Sequence, residues 1–319
     1  MLISFIDGTN INKNKEVGIP MKTFTKHISE MNEDSDLYAV ESLFESYDSI
    51  MEALITFGGK AYPSAGHVVI LAGGAGSGKG FVKDKLLGIE GKVFDVDELK
   101  MMAAKSPKIV SRVKKDVGVD LETLASDMKD PDNVGKMHDI IADVLNLPNR
   151  KQSAFYASVL TAPSDRKPNI IFDSTLKDLN KLSNITRQVL ALGYKKENIH
   201  IVWTVNDIEV AKAQNTMRPR QVPVEILIGT HRGASQTMLD IIKMGNGLTK
   251  YMDGAIVLAF NKVGVDTELL GSGKGGSYIV DANYVYIKQP GKTVTPINKI
   301  SKDIRAKISS YVPKNLDWI

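Results

Sequence analysis

Five short apolar runs punctuate the middle of the chain: HVVILA at 67–72, KVFDV at 92–96, NIIFD at 169–173, NIHIVWTV at 198–205 and DGAIVLAF at 253–260. Each is nearly continuous in hydrophobicity rather than alternating, which marks a strand covered on both faces. Between them lie stretches of helical texture at 79–88, about 120–147, 176–193, 207–217, 223–229 and 234–245. The alternation predicts an α/β fold: a five-stranded parallel sheet with helices on both faces. The stretch from Asp97 to Lys167 is too long for one crossover, so 98–167 is expected to form a helical insertion beside the site.

The flanks read differently. Leu37, Val40, Leu43, Phe44, Tyr47, Ile50, Met51 and Leu54 fall at helical spacing, predicting one amphipathic helix that ends at Gly58-Gly59. Residues 1–66 are therefore expected to be a helical N-terminal extension to a core at 67–262. In the C-terminal segment 263–319, SYIVDANYVYIK reads as a strand or hairpin. Ile297, Ile300, Ile304 and Ile308 share a helical face there, with Lys299, Lys302, Arg305 and Lys307 elsewhere on the turn. Those basic residues read first as the solvated face of a docked helix and second as a polyanion site.

Composition narrows the chemistry. The 319 residues contain no cysteine, which excludes disulfides, Cys-ligated zinc and thiol catalysis. Five scattered histidines show no metal-binding spacing. No apolar run approaches the roughly 20 residues of a membrane span, and the first residues lack a charged leader before an apolar core, so a cytoplasmic protein without a membrane partner is expected. The net charge of +4 and pI near 8.9 suit a polyanionic partner without requiring one.

The first run ends in GGAGSGKG, which satisfies GxxxxGK between a buried strand and a helix. Glycines there allow positive φ and let backbone amides close around phosphate oxygens. Gly73, Gly74, Ala75, Gly76, Ser77, Gly78, Lys79 and Gly80 are the candidate ATP-binding residues, with Ser77 offering a hydroxyl to a phosphate and Lys79 a charge to the β- and γ-phosphates. The second run ends in VFDVDELK, whose Asp95 and Asp97 lie beside the loop if strand two neighbours strand one; a hydroxyl acceptor needs such a carboxylate. The third ends in NIIFDST, placing Asp173 where a strand-end acid meets magnesium, while Ser174 and Thr175 either join that shell or cap the next helix. After the fourth run, Arg218, Arg220 and Arg232 bracket a segment with Pro219 and Pro223. GSGKGG at 271–276 lacks the loop spacing and reads as a hairpin turn with Lys274 near a substrate phosphate. Tyr278, Tyr284 and Tyr286 read as packing residues, and NKVGVD at 261–266 as a loop packing on adenine.

Across 67–262 these pieces resemble a known group. The loop resembles the GxPGSGKG loop of adenylate kinase and other nucleoside monophosphate kinases, in which glycine also follows the lysine. This chain departs from it with Phe81 in place of the usual threonine and Ala75 in place of proline. The D-x-D segment and the helix, RxR, VP, helix order resemble zeta-toxin and polynucleotide kinases. The resemblance implies a P-loop NTPase fold and an ATP- and Mg2+-dependent kinase, with Asp97 as general base, Asp173 and Asp95 near the metal, and a lid over 214–233 that lays its arginines on the transferring phosphate. Relatives of this kind phosphorylate a nucleotide-sugar, a polynucleotide end or, in a bacteriophage group, 5-hydroxymethyluracil in DNA. The basic pI and C-terminal helix favour a nucleic-acid acceptor, with DNA as candidate partner; a nucleotide-sugar or small metabolite is the alternative. An ATPase switch without an acceptor is a third reading, against which the GKG form counts.

Overall fold

The structure is a computed structural model describing residues 65–163, 166–218, 221–262, 265–273 and 276–313. The helix expected at 37–54, together with Arg220 and Lys274, lies outside the described residues.

Strand β1 (Val68–Ala72) runs into the glycine loop and α1 (Lys79–Phe81), which continues as a π-helical turn, Val82–Leu86. β2 (Lys92–Phe94) leads into five helices: α2 (Val96–Ala104), α3 (Pro107–Val117), α4 (Leu121–Ser126), α5 (Pro131–His138) and α6 (Leu147–Leu160). β3 (Ile170–Asp173), α7 (Leu179–Ala191), β4 (Ile199–Val205), α8 (Ile208–Met217), α9 (Val224–Lys243) and β5 (Ile256–Phe260) follow. β6 (Thr267–Gly273) and β7 (Gly276–Ala282) form a hairpin, then β8 (Tyr284–Lys288) and α10 (Lys302–Tyr311) close the fold.

The main sheet has order β2-β3-β1-β4-β5-β8. Its first five strands are parallel, and β8 pairs antiparallel with β5. The expected five strands are thus corrected to six. The C-terminal segment supplies the last, because β5 would otherwise leave an open edge of unpaired backbone groups. Strand two does not neighbour strand one; β3 lies between them.

Successive residues of the buried strands feed two different cores. Val68, Ile70 and Ala72 join a large cluster with Leu182, Ile185, Met238, Ile242 and Ile308, whereas Val69 and Leu71 join a smaller one with Val82, Leu86 and Ile89. This is the period-two geometry of a strand between two helical layers. Phe81 packs on the smaller cluster, which accounts for an apolar residue at this position. The insertion has its own core around Val113, Leu121, Met137 and Ile141. The helix expected over 120–147 is broken there by Pro131, with Asp130 accepting the first-turn amide of Asp132. Conversely, 223–229 and 234–245 merge into α9. Gly233 does not interrupt it; a Cβ there would stand 2.9 Å from Cβ of Lys177, so this glycine is a close-packing site.

At the sheet end remote from the loop, His200 Nδ1 accepts from Ala255 N at 2.9 Å. Its proton therefore sits on Nε2 and is donated to His67 Nδ1, also at 2.9 Å. Burial, with the nearby His67 and Lys288, pushes the His200 pKa down to about 3. A depressed histidine contributes stability that is complete above the unfolded value of about 6.5 and is lost as pH falls toward 3. Stability of the protein is expected to fall between those pH values with a steepest contribution of about 1.4 kcal/mol per pH unit from this residue. Urea titrations of wild type and His200→Asn at pH 7 and pH 4 measure it: the variant is expected to lose less on acidification.

Candidate active site

A turn of six residues, 73–78, carries the chain from β1 to α1. Three of its glycines have positive φ: 141° at Gly73, 74° at Gly76 and 89° at Gly78. Every carbonyl of the turn is taken by a donor. Lys79 Nζ spans Gly73 O (3.0 Å) and Gly74 O (3.2 Å). His231 Nε2 donates to Ala75 O at 2.7 Å, Asn206 Nδ2 to Gly76 O at a long 3.5 Å, and Asn261 Nδ2 to Ser77 O at 3.1 Å. Gly78 O accepts Val82 N at 3.0 Å. Three amides are also used: Gly73 N on Thr175 O, Ser77 N on Gly74 O, and Ala75 N on Thr230 Oγ1. The first amides of a helix have no acceptor within it, so α1 adds its own donors at the end of the turn.

Neighbouring elements press on this backbone. A Cβ on Gly74 would lie 2.0 Å from the His231 ring, and one on Gly78 would lie 1.8 Å from Asn261 Nδ2. At Gly80, by contrast, no atom lies within 4 Å of that position. Packing therefore does not forbid a hydroxyl-bearing side chain after the lysine. Ser77 was expected to offer its hydroxyl to a phosphate; instead it is fully buried, with Oγ lacking a hydrogen-bond partner and 2.8 Å from where a Gly73 Cβ would stand.

The acids arrive by register. Leu71 pairs with Asp173, so Asp173 ends β3 beside the start of the loop. Phe94 pairs with Phe172, so Asp95, just after β2, and Asp173, the last residue of β3, lie at the same end of the sheet. Neighbouring strands β2 and β3 thus each bring a carboxylate to this end of the sheet, and carboxylate oxygen is the hard donor type that magnesium accepts. Among the described residues no group of three or more His, Cys, Asp or Glu gathers for a tighter site. Asp97 is the second residue of α2, two strands away from the loop. Leu176, at φ 48°, turns the chain after β3 so that Thr175 O reaches Gly73 N. Ser174 Oγ accepts Leu176 N, and α7 is capped by Asp178 Oδ1, not by Ser174 or Thr175.

No family model and no curated protein matches the chain. Among solved structures it is similar to the AvrRxo1-ORF1:-ORF2 complex with ATP (TM-score 0.40, 10% identity, 80% of this chain and 66% of that one). It is also similar to the same complex with sulphate ions (TM-score 0.39, 11% identity, 87% and 73%). A third is the PezAT chromosomal toxin-antitoxin system of the human pathogen Streptococcus pneumoniae (TM-score 0.38, 13% identity, 72% and 81%). The chain spans 66% of the first of these chains. With every score below 0.5, the site is read on its own geometry.

Arg218 caps the C-terminal end of α8 and is exposed; Arg232 is exposed on α9, next to His231. The second half of the segment expected as a lid is thus part of α9, which is docked on the loop through Thr230 and His231. Lys262 and Asp266, on either side of the neighbouring connection, are knitted to the same region. Lys262 Nζ pairs with Asp207 at 2.8 Å, and Lys262 N donates to Asp266 Oδ2 at 3.1 Å. Asp266 is buried and also receives the Tyr311 hydroxyl at 2.8 Å and an ion pair from Lys307. The basic face of α10, expected to be solvated, therefore sends Lys307 inward and spends Arg305 Nε on Ile300 O.

Burial holds the His231 pKa below the ordinary histidine range; Lys79 nearby also lowers it, against the bond to Ala75. A carbonyl accepts only, so the neutral ring carries its proton on Nε2. Sequence reasoning passed over Thr230, His231 and Asn206, and took Asn261 only as part of a loop packing on adenine. The available signal was an asparagine directly after each of two buried strands, where side chains point at a neighbouring strand-end loop. Gly74→Ala is expected to cost about 1–3 kcal/mol of stability by driving a methyl into His231. Gly80→Ala, in open space at a helix start, is expected to gain up to about 1 kcal/mol. Urea unfolding of the two variants compares them directly.

Proposed function

We propose that the protein is an ATP- and Mg2+-dependent kinase that transfers the γ-phosphate to a hydroxyl group. The observation that carries this reading is the glycine turn, whose first two carbonyls hold Lys79 and whose next three are held by side chains from other elements, beside two carboxylates at the ends of adjoining strands. ATP phosphates rest on residues 73–80, with Lys79 on the β- and γ-phosphates. Asp173 and Asp95 are the residues that would hold magnesium, which, when bound, neutralises phosphate charge. Asp97 accepts the acceptor's proton as its oxygen bonds phosphorus and the bond to the ADP oxygen breaks. Arg218, Arg220 and Arg232 stabilise charge on the equatorial oxygens.

The acceptor proposed is a hydroxyl on nucleic acid, either a polynucleotide end or a hydroxymethylated pyrimidine; a nucleotide-sugar is the competing acceptor. Pairing of Lys307 with Asp266 takes one charge away from the polyanion surface expected on α10, so the choice rests on the overall basic charge. Incubation with γ-labelled ATP and, separately, duplex DNA, hydroxymethylated DNA, mononucleotides and nucleotide-sugars is expected to label a DNA acceptor. Label released only to water would overturn the kinase reading. Lys79→Ala and Asp97→Asn are each expected to lower transfer by about 100-fold or more, with Asp97→Asn retaining ATP affinity. Transfer to DNA is expected to fall steeply between about 50 and 200 mM salt, because phosphate contacts release condensed counterions. A flat response would assign a small acceptor.

A further inference from the structure

Peptide groups are planar and trans, so the C=O of one residue and the N–H of the next point in opposite directions. His231 holds the Ala75 carbonyl, so the Gly76 amide points away from α9. Asn261 holds the Ser77 carbonyl, so the Gly78 amide points away from the end of β5. Between them the Ser77 amide closes on Gly74 O inside the turn. Gly76 and Gly78 have positive φ while Ala75 and Ser77 do not, the alternation that makes successive amides converge on an anion. Both donors are buried, at 4% and 3% exposure, and both touch the turn's backbone closely enough to exclude a methyl group at Gly74 and Gly78. They come from α9 and from the residue after β5, far from the turn in sequence.

We propose that His231 and Asn261 are positioning residues for phosphate, which pull the carbonyls of Ala75 and Ser77 outward and thereby aim the Gly76 and Gly78 amides at the phosphate oxygens. The inference rests on the reading of 73–80 as a phosphate loop and adds to it two residues outside the motif. Neither touches the phosphate; each acts through a peptide plane. The consequence is specific. Removing the donor frees the peptide to rotate, which weakens binding of phosphate whatever organic group is attached to it.

The test is calorimetric titration of the full chain with ATP and, separately, with inorganic tripolyphosphate at fixed salt and magnesium. The variants are His231→Leu, His231→Gln and Asn261→Asp. His231→Leu removes the N–H; His231→Gln keeps one at the place of Nε2; Asn261→Asp keeps the shape and loses the donor. Loss of affinity by about tenfold or more for both probes is expected in His231→Leu and Asn261→Asp, with His231→Gln within about threefold of wild type. A residue with only a structural role would instead show affinity following thermal stability, with Gln and Leu alike. Wild-type affinity in folded His231→Leu would overturn the proposal, as would a loss confined to ATP. If Asn261→Asp does not fold, the His231 pair decides. A wild-type chain that binds neither probe overturns the phosphate-loop reading itself, and this inference with it.

Discussion

A cradle of backbone amides can exist only where the carbonyls of the same peptides are paired on the other side. An unpaired buried carbonyl costs more than a hydrogen bond gains, so a turn with none of its carbonyls satisfied would collapse onto its own amides. In this protein each carbonyl from Gly73 to Gly78 meets a donor: Lys79, His231, Asn206, Asn261 or the amide of Val82. The rest of the architecture can be followed outward from those partners. α9 must dock where Thr230 and His231 reach Ala75, and β4 and β5 must end where Asn206 and Asn261 reach the turn.

The parallel sheet is what permits this convergence. Parallel strands end on the same side, so the residues following β1, β3, β4 and β5 all meet at one edge. Thr175, Asn206 and Asn261 are such residues, and Asp95 and Asp173 arrive there by the same register. The C-terminal segment secures the far side of that edge. Buried Asp266 is tolerable because Lys307, the Tyr311 hydroxyl and the Lys262 amide all converge on it. Burial and the adjoining Asp266 push the Tyr311 hydroxyl pKa up, so Tyr311 stays a donor. Through Lys262 and Asp207 the same network reaches the cap of α8, which is why α10 belongs to the structure around the site rather than to a separate basic surface.

Much of the strand content was legible because strands buried on both faces have one reading. VVILA, IIFD, IHIVWTV and IVLAF all became central strands. That the stretch from Asp97 to Lys167 holds more than one crossover was legible from its length, and helices α2 to α6 occupy it. Errors arose where distant residues decide. SYIVDANYVYIK read as a strand or hairpin without a place in the sheet, yet Tyr284 to Lys288 covers the edge of β5 and makes the sixth strand. Residues 230–233 looked like a gap between two helices, yet the helix is continuous there and Gly233 is where Lys177 packs on it.

By itself the sequence determined that a buried strand would run into a glycine turn carrying Lys79, because hydrophobic run, glycine spacing and lysine are contiguous and their geometry is local. It also determined the presence of acids at the ends of the second and third strands. Only the tertiary structure decided that β3 lies between β2 and β1, which makes Asp173 and not Asp95 the neighbour of the loop. It alone decided that the turn is held by His231 and Asn261, roughly 150 and 180 residues away in the chain. Strand order and side-chain convergence depend on which faces are buried together, and that is a property of the packed whole rather than of any stretch of it.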